Sequence, residues 1–366
     1  MDAGCEALHP GTCFLAEHLG FHEAAANANV LVVGPPAPVV FRVVDRLALR
    51  KVAQAAGLPL IPASEPLSSG DDGLESAARI GTPLYVKAVH GRVLERVEDL
   101  AEVPAAVIRV QNVARAIAGD ERVYLERVVD ARRHVGAVIV GEEGSAPIVL
   151  GWVDSSAERG RFTHVEECGA SVVSPFVAEQ LTEQAVALCK AVGWSGVGRI
   201  RWALTPDGRA YLLGISARLT NGFELVEHMH GVDLVDTQVR LAMGERLAWE
   251  QPEQPASSHG IQLRLYHQSE DGSRPDGVLT RLELPSGEAV HSSRAVDVGT
   301  ACSMDTEPLL ATVTVVAPTR QTAVVLARAA LEQVVVEGIP TNVERLVGLL
   351  RREDFWRGEH DARVLR

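Results

Sequence analysis

The chain has 366 residues, about twice the usual single domain, so two or three packed units are expected. Hydrophobic residues make up 46% and charged residues 23%, a balance that excludes a largely disordered chain. With 35 basic against 48 acidic side chains the formal charge is −13, which argues against nucleic acid or an anionic membrane as main partner.

The opening reads as strand and turn material ending in the apolar run Val30 to Val33, closed by Gly34, Pro35 and Pro36. Asp45 caps a helix that turns Leu47, Leu49, Val52 and Ala56 inward, and Gly57 ends it. An extended piece, Leu58 to Pro62, precedes a strand at Pro83 to Ala88, helical segments around Ala105 to Ala118, and a strand at Val123 to Val129. Val135 to Val140 and Ile148 to Val153 form a hairpin. Leu181-Thr182-Glu183 opens an amphipathic helix stopped by Gly193. A second hairpin joins Val197 to Leu204 with Arg209 to Ser216 through Thr205-Pro206-Asp207-Gly208. Trp249 to Ser258 has linker composition. Beyond it come strands at His259 to Tyr266, Leu279 to Leu284 and Thr312 to Ala317, then a helix at Thr319 to Leu331. A last helix starts at the cap Thr341 and runs through Val343 to Leu350. Paired strands followed by helices indicate an α+β arrangement.

No stretch approaches the roughly 20 apolar residues of a membrane span, and Met1 to Cys13 has neither a basic nor an apolar signal region. The five cysteines form no CxxC pair and are odd in number, as reduced thiols would be. A soluble, cytoplasmic protein is therefore expected. Only three lysines occur, Lys51, Lys87 and Lys190.

Several stretches, taken together and in order, carry a resemblance. They are Glu6 to Gly11 with Phe14 to Glu17, Val32 to Pro35, Asp45-Arg46 and Ala55 to Pro59. They continue with Arg133 to Val135, Val165 to Glu167, Gly231 to Leu234 and Glu337 to Asn342. The sequence resembles the biotin carboxylase subunit of biotin-dependent carboxylases, an ATP-grasp enzyme. The resemblance implies a mixed α/β ATP-grasp fold in four parts: a remnant of the N-terminal Rossmann-like domain at 1–57, a lid at 58–128, a large subdomain at 129–250 and a C-terminal domain at 257–366. It also implies that Met1 falls inside the family's N-terminal domain: either the start codon is miscalled, or the first strands are missing and a sheet edge is left for a partner.

Against the family pattern the chemistry is eroded. Magnesium takes hard oxygen ligands, usually one or two carboxylates with phosphate oxygens. The positions matching those carboxylates hold Arg201 and Gly214, and the neighbouring Asn is Ser216. The phosphate-covering glycine loop after Lys87 reads Ala88-Val89-His90-Gly91-Arg92-Val93-Leu94. One glycine among bulky residues does not make a cradle of backbone N–H groups. The glutamate that deprotonates bicarbonate is replaced by Gly222, a lysine by Thr163 and a histidine by Arg161. Glu227-His228-Met229-His230 mimics a metal cluster but lacks the spaced third ligand of a closed site.

Other matches survive. The resemblance assigns phosphate contact to Lys87 and Arg46, an adenine-side role to Glu126, a ribose-side role to His134, bicarbonate to Arg218, and the biotin enolate to Arg294. A strict match for the last lands on Ala295, and Arg294 requires a slip of one residue. The implied ligands are ATP and carrier-borne biotin, with magnesium unsupported by its ligand positions. The implied partners are a biotin carboxyl carrier protein or carboxylase subunits in a homo- or heterodimer. A catalytically impaired component of an acyl-CoA carboxylase is the expectation, and an active, divergent ATP-grasp ligase is the alternative. A further reading gives Arg201 a phosphate to pair with, so that nucleotide binds without metal.

Overall fold

The computed structural model describes residues 4–90, 93–160, 162–169, 171–247, 250 and 258–365. The chain opens with β1 (Ala7–Leu8), α1 (Leu19–Asn27) and β2 (Leu31–Val32), and β1 and β2 pair in parallel. Next come α2 (Ala37–Val44) and α3 (Arg46–Ala55). Asp45 accepts hydrogen bonds from the amides of Leu47 and Ala48, as its place before the apolar run predicts.

A small layered unit follows: α4 (Gly70–Ile80), β3 (Leu84–Ala88), β4 (Leu94–Val97), α5 (Val103–Ala118) and β5 (Val123–Arg127). Its sheet has the order β4-β3-β5, and α4 and α5 cover one face over a core that includes Leu84, Val86, Val107 and Leu125.

The large sheet begins with β6 (Arg133–Gly141), β7 (Ile148–Arg159) and β8 (Phe162–Gly169). After α6 (Pro175–Val192) come β9 (Gly196–Leu204) and β10 (Ala210–Ser216), then α7 (Phe223–His230) and α8 (Leu234–Ala242). The remaining elements are β11 (His259–Tyr266), β12 (Gly277–Val278), β13 (Arg281–Glu283), β14 (Val290–Arg294), β15 (Ala301–Cys302), β16 (Leu309–Ala317), α9 (Arg320–Leu331), β17 (Val335–Glu337), α10 (Val343–Arg351) and α11 (Glu353–Arg357). Eight strands form one sheet in the order β10-β9-β6-β7-β8-β11-β16-β14. On one side α6 packs Leu181, Leu188 and Val192 against Ile200 and Trp202, each such burial contributing roughly 1.5–3 kcal/mol. Under β11 and β16 a second core gathers Ile261, Leu263, Val313 and Val324. No helix among the described residues is long and apolar enough to cross a membrane.

The elements depart from the sequence reading in several places. α1, α2 and α4 stand where strand, turn or connection was expected. Pro36 and Pro38 start α2 rather than break an extended run, because proline is tolerated in a helix's first turn. α4 carries Gly70 and Gly73, and a Cβ at Gly73 would lie 3.0 Å from Val107, so the glycine permits close packing. α6 starts at Pro175 rather than Leu181, with Ser174 accepting from the Val177 amide. Asn342, not Thr341, precedes α10, and its amide side chain bonds His164, Arg264 O and the Tyr266 amide instead of capping the helix. Most of the expected linker, Trp249 and residues 251–257, lies outside the described residues.

Candidate functional site

The hairpin β9–β10 sets Gly214 opposite Arg201 and Ser216 opposite Arg199. Thus the two positions where the sequence lacks a carboxylate face each other across one strand pair. Arg201 Nη2 donates to Glu158 Oε1 at 2.7 Å. The same carboxylate oxygen accepts from Thr163 Oγ1 at 3.0 Å, and Glu158 Oε2 lies 3.1 Å from His134 Nδ1. Burial alone would raise the Glu158 carboxyl, but Arg201 and His134 outweigh it and hold the group at about 2. A guanidinium, a bare glycine and a hydroxyl do not fit magnesium, and the nearby carboxylate is filled by three donors.

The Gly222 corner is filled as well. Gly222 adopts φ +110, and a Cβ there would fall 1.9 Å from Glu166 Oε2. The Glu166 carboxylate, arriving from β8, therefore fills the space a side chain at 222 would enter. It bridges Arg199 at 2.7 Å and Arg264 at 2.8 Å, and all three residues are buried. Arg264 also donates to the carbonyl of Asn221. Gly136 makes room for Arg199, since a Cβ there would lie 2.6 Å from Arg199 Nε. Arg218 is buried beside this corner in sequence, but it turns to the N-terminal segment. Its Nε donates to Glu17 Oε2 at 3.0 Å and its Nη1 to Thr12 O at 2.9 Å.

In the small unit, β3 and β5 place Lys87 and Glu126 side by side, and Lys87 Nζ donates to Glu126 Oε1. Arg50 reaches the other carboxylate oxygen at 3.2 Å. Arg46, one turn earlier on α3, donates to Ala88 O at 2.9 Å. Burial pushes the Lys87 ammonium down from its ordinary value, with Glu126 opposing. The loop amides are turned inward: Ala88 N donates to Val93 O and Val89 N to Arg122 O. Those two amides are unavailable to a phosphate. Gly91, Arg92 and Arg161 lie outside the described residues.

The expected residues therefore fall into separate clusters. Lys87, Glu126 and Arg46 gather at the small sheet, His134 joins Arg201 at Glu158, and Arg218 joins Glu17. Arg294 stands apart on β14, exposed, with Nη2 on Leu282 O at 3.0 Å. The false metal cluster dissolves into local structure. Glu227 accepts from the Leu234 amide, Asp233 caps α8, and His228 stacks on His291 with ring centroids 4.0 Å apart. Among the described residues no group of three His, Cys, Asp or Glu side chains is placed to hold a metal ion. The sequence reading missed Arg50, Glu158, Arg264 and Glu17 as partners. Arg50 alone had a local signal, four residues after Arg46 on a capped helix.

A small lid-like sheet set against a large antiparallel sheet defines the ATP-grasp class, in its biotin-carboxylase form. Residues 45–250 match the carbamoyl-phosphate synthase L chain ATP-binding domain, and 262–366 match the biotin carboxylase C-terminal domain. The chain is 30% identical over 362 residues to biotin carboxylase of Halalkalibacterium halodurans, covering 98% of this chain and 80% of that protein. It is 28% identical to the mouse mitochondrial methylcrotonoyl-CoA carboxylase subunit alpha, over 97% of this chain and 51% of that one. The biotin carboxylase domain of Hydrogenobacter thermophilus 2-oxoglutarate carboxylase superposes with a TM-score of 0.94 at 26% identity, covering 100% of this chain and 82% of its own. That domain was solved as a dimer with MgADP, ADP and bicarbonate. The chain belongs to the biotin carboxylase family.

Proposed function

We propose that this biotin-carboxylase-like protein lacks effective ATP-dependent carboxylation and serves as a structural or regulatory component of a biotin-dependent acyl-CoA carboxylase. The observation that carries the reading is the closed Arg201–Glu158–His134 cluster opposite Gly214, with Glu166 filling the Gly222 corner. Phosphoryl transfer is largely positioning and neutralisation of charge by metal and cationic groups. Here a cation stands at a former metal-ligand position, and no step is drawn through magnesium. General-base assistance is worth about 10²–10⁴-fold in rate. Glu166, the carboxylate in that corner, is already engaged by two arginines.

Arg46, Arg50 and Lys87 surround a single carboxylate, an excess of positive charge suited to nucleotide phosphates. A bound nucleotide would be held there, with Glu126 on its adenine side and His134 on its ribose side. When bound, ATP supplies the phosphoryl group that activates bicarbonate in this family. In this chain the cations orient and neutralise, but Arg201 must leave Glu158 before it can touch a phosphate. Arg218 would hold bicarbonate only by giving up part of its bonding to Glu17 and Thr12. Arg294 would meet biotin, and a carrier protein or an intact carboxylase subunit would be the partner.

Two measurements test this. Calorimetry with a nonhydrolysable ATP analogue should give binding unchanged by excess EDTA, and bicarbonate- and biotin-dependent ADP release should stay at background. Turnover at rates typical of the family would overturn the reading in favour of an active, divergent ligase. Co-purification with a carboxylase subunit is expected, and a monomer indifferent to all such subunits would count against the partner role.

A further inference from the structure

β8 and β11 run antiparallel with His259 opposite Gly169. Glu167 and Gly169, two apart on β8, share a face with His259. Gly169 has φ +148, and a Cβ there would lie 3.1 Å from His259 Nδ1 and 2.8 Å from Ser258 O. The missing side chain lets the imidazole lie against the strand. Two residues past Gly169, Ser171 Oγ comes 3.1 Å from His259 Nδ1. On the other side of the ring, His259 Nε2 is 2.8 Å from Glu167 Oε2.

One tautomer satisfies both contacts. Nε2–H donates to the carboxylate, which leaves Nδ1 to accept the serine proton; this tautomer is assigned from the hydrogen-bond network. Burial would raise the Glu167 carboxyl, but hydrogen bonds from His259 and Arg320 hold it at about 2, so it stays charged. His259 and Glu167 are buried while Ser171 is exposed. All three line a cavity of about 390 Å³, together with Arg133, Arg320 and Arg357. The start of α9 opens onto the same cavity, and first-turn amides of a helix have no intrahelical acceptor and favour negative charge.

We propose that Ser171, His259 and Glu167 form a second reactive centre, distinct from the nucleotide-side clusters, that cleaves small activated esters bearing negative charge. Ser171 Oγ bonds the ester carbonyl carbon while its proton passes to His259 Nδ1. The C–O bond to the leaving group then breaks, and that proton goes to the departing oxygen. Water, deprotonated by the same nitrogen, attacks the acyl-serine; the acyl C–Oγ bond breaks, the proton on His259 Nδ1 passes to Ser171 Oγ, and the acid leaves. Glu167 is the positioning residue, and Arg133, Arg320 and Arg357 attract the anionic substrate. A nucleophile within reach of a base that is itself oriented by a carboxylate is the arrangement this chemistry requires.

The test uses the full chain with a fluorophosphonate probe, peptide mass spectrometry, and two chromogenic esters, neutral 4-nitrophenyl acetate and anionic 4-acetoxy-3-nitrobenzenesulfonate. We expect a phosphonyl adduct on Ser171, faster cleavage of the anionic ester, and loss of both adduct and turnover in Ser171→Ala. His259→Gln should slow labelling by about 10²-fold or more. If the buried His259→Gln variant melts early, Ser171→Ala decides alone, since the exposed hydroxyl can be removed without disturbing a core. Absence of label on Ser171, or cleavage unchanged in Ser171→Ala, overturns the proposal. Equal rates for the two esters overturn its anionic selectivity.

Discussion

The small-sheet cluster and the hairpin cluster share one plan, a carboxylate between two nitrogen-bearing side chains, yet they differ in the cations they gather. At the small sheet Glu126 faces Lys87 and Arg50, with Arg46 close by, so positive charge is left over for a polyanion. At the hairpin Glu158 faces a single guanidinium, that of Arg201, with the ring of His134 on its other oxygen. On the proposed function, the first cluster leaves cations for a nucleotide, and the second pairs Arg201 with the chain's own carboxylate. Such a cluster is held together by the chain's own counter-charge.

The largest effect expected is from putting the family residue back. Gly222→Glu would drive a side chain into the Glu166 carboxylate, at a backbone angle that disfavours any Cβ. Thermal melts should show a loss of more than about 4 kcal/mol, or insoluble protein. Adding Glu166→Ala to that variant should recover part of the loss, and a melt close to wild type for Gly222→Glu alone would refute the steric account. Next comes Glu126→Gln, which leaves Lys87 and Arg50 facing one another without a counter-ion. Urea unfolding should show about 3–5 kcal/mol lost.

The hairpin cluster should show itself in acid. Glu158 sits at about 2 in the folded chain against an ordinary value of 4.5. Because the unfolded chain takes up its proton first, the stabilisation is complete above about 4.5 and fades as pH falls towards 2. Its full size is about 3 kcal/mol by linkage. Glu158→Gln should flatten that part of the stability profile, and an unchanged acid limb would sink the assignment. The smallest effect belongs to Arg294→Ala, which removes one part-buried hydrogen bond of an exposed side chain and should stay within about 0.5 kcal/mol in the same melts.

Much of the architecture could be read from local chemistry. The Asp45 cap, the stops at Gly57 and Gly193 and the Thr205 to Gly208 turn are short-range signals, and the elements they bound are present. The opening turn of α6 gave no apolar period because Phe176 is exposed there. β14 is an edge strand of mainly polar residues, so alternation could not reveal it. The site could be read only through the resemblance to a family pattern. What fills the gaps could not be read, because the partners lie far away in sequence: Glu17 meets Arg218 across 201 positions, and Arg199 meets Glu166 across 33. No local period encodes such pairs.

The position of β11 has a consequence for any attempt to dissect the molecule. This strand, from the C-terminal portion, lies between β8 and β16 inside the eight-stranded sheet. A fragment ending at residue 250 would strip β8 of its neighbour and leave a row of amides and carbonyls without mates, inviting intermolecular strand pairing and precipitation. The two halves should therefore be expressed together, as interlocking pieces of one fabric.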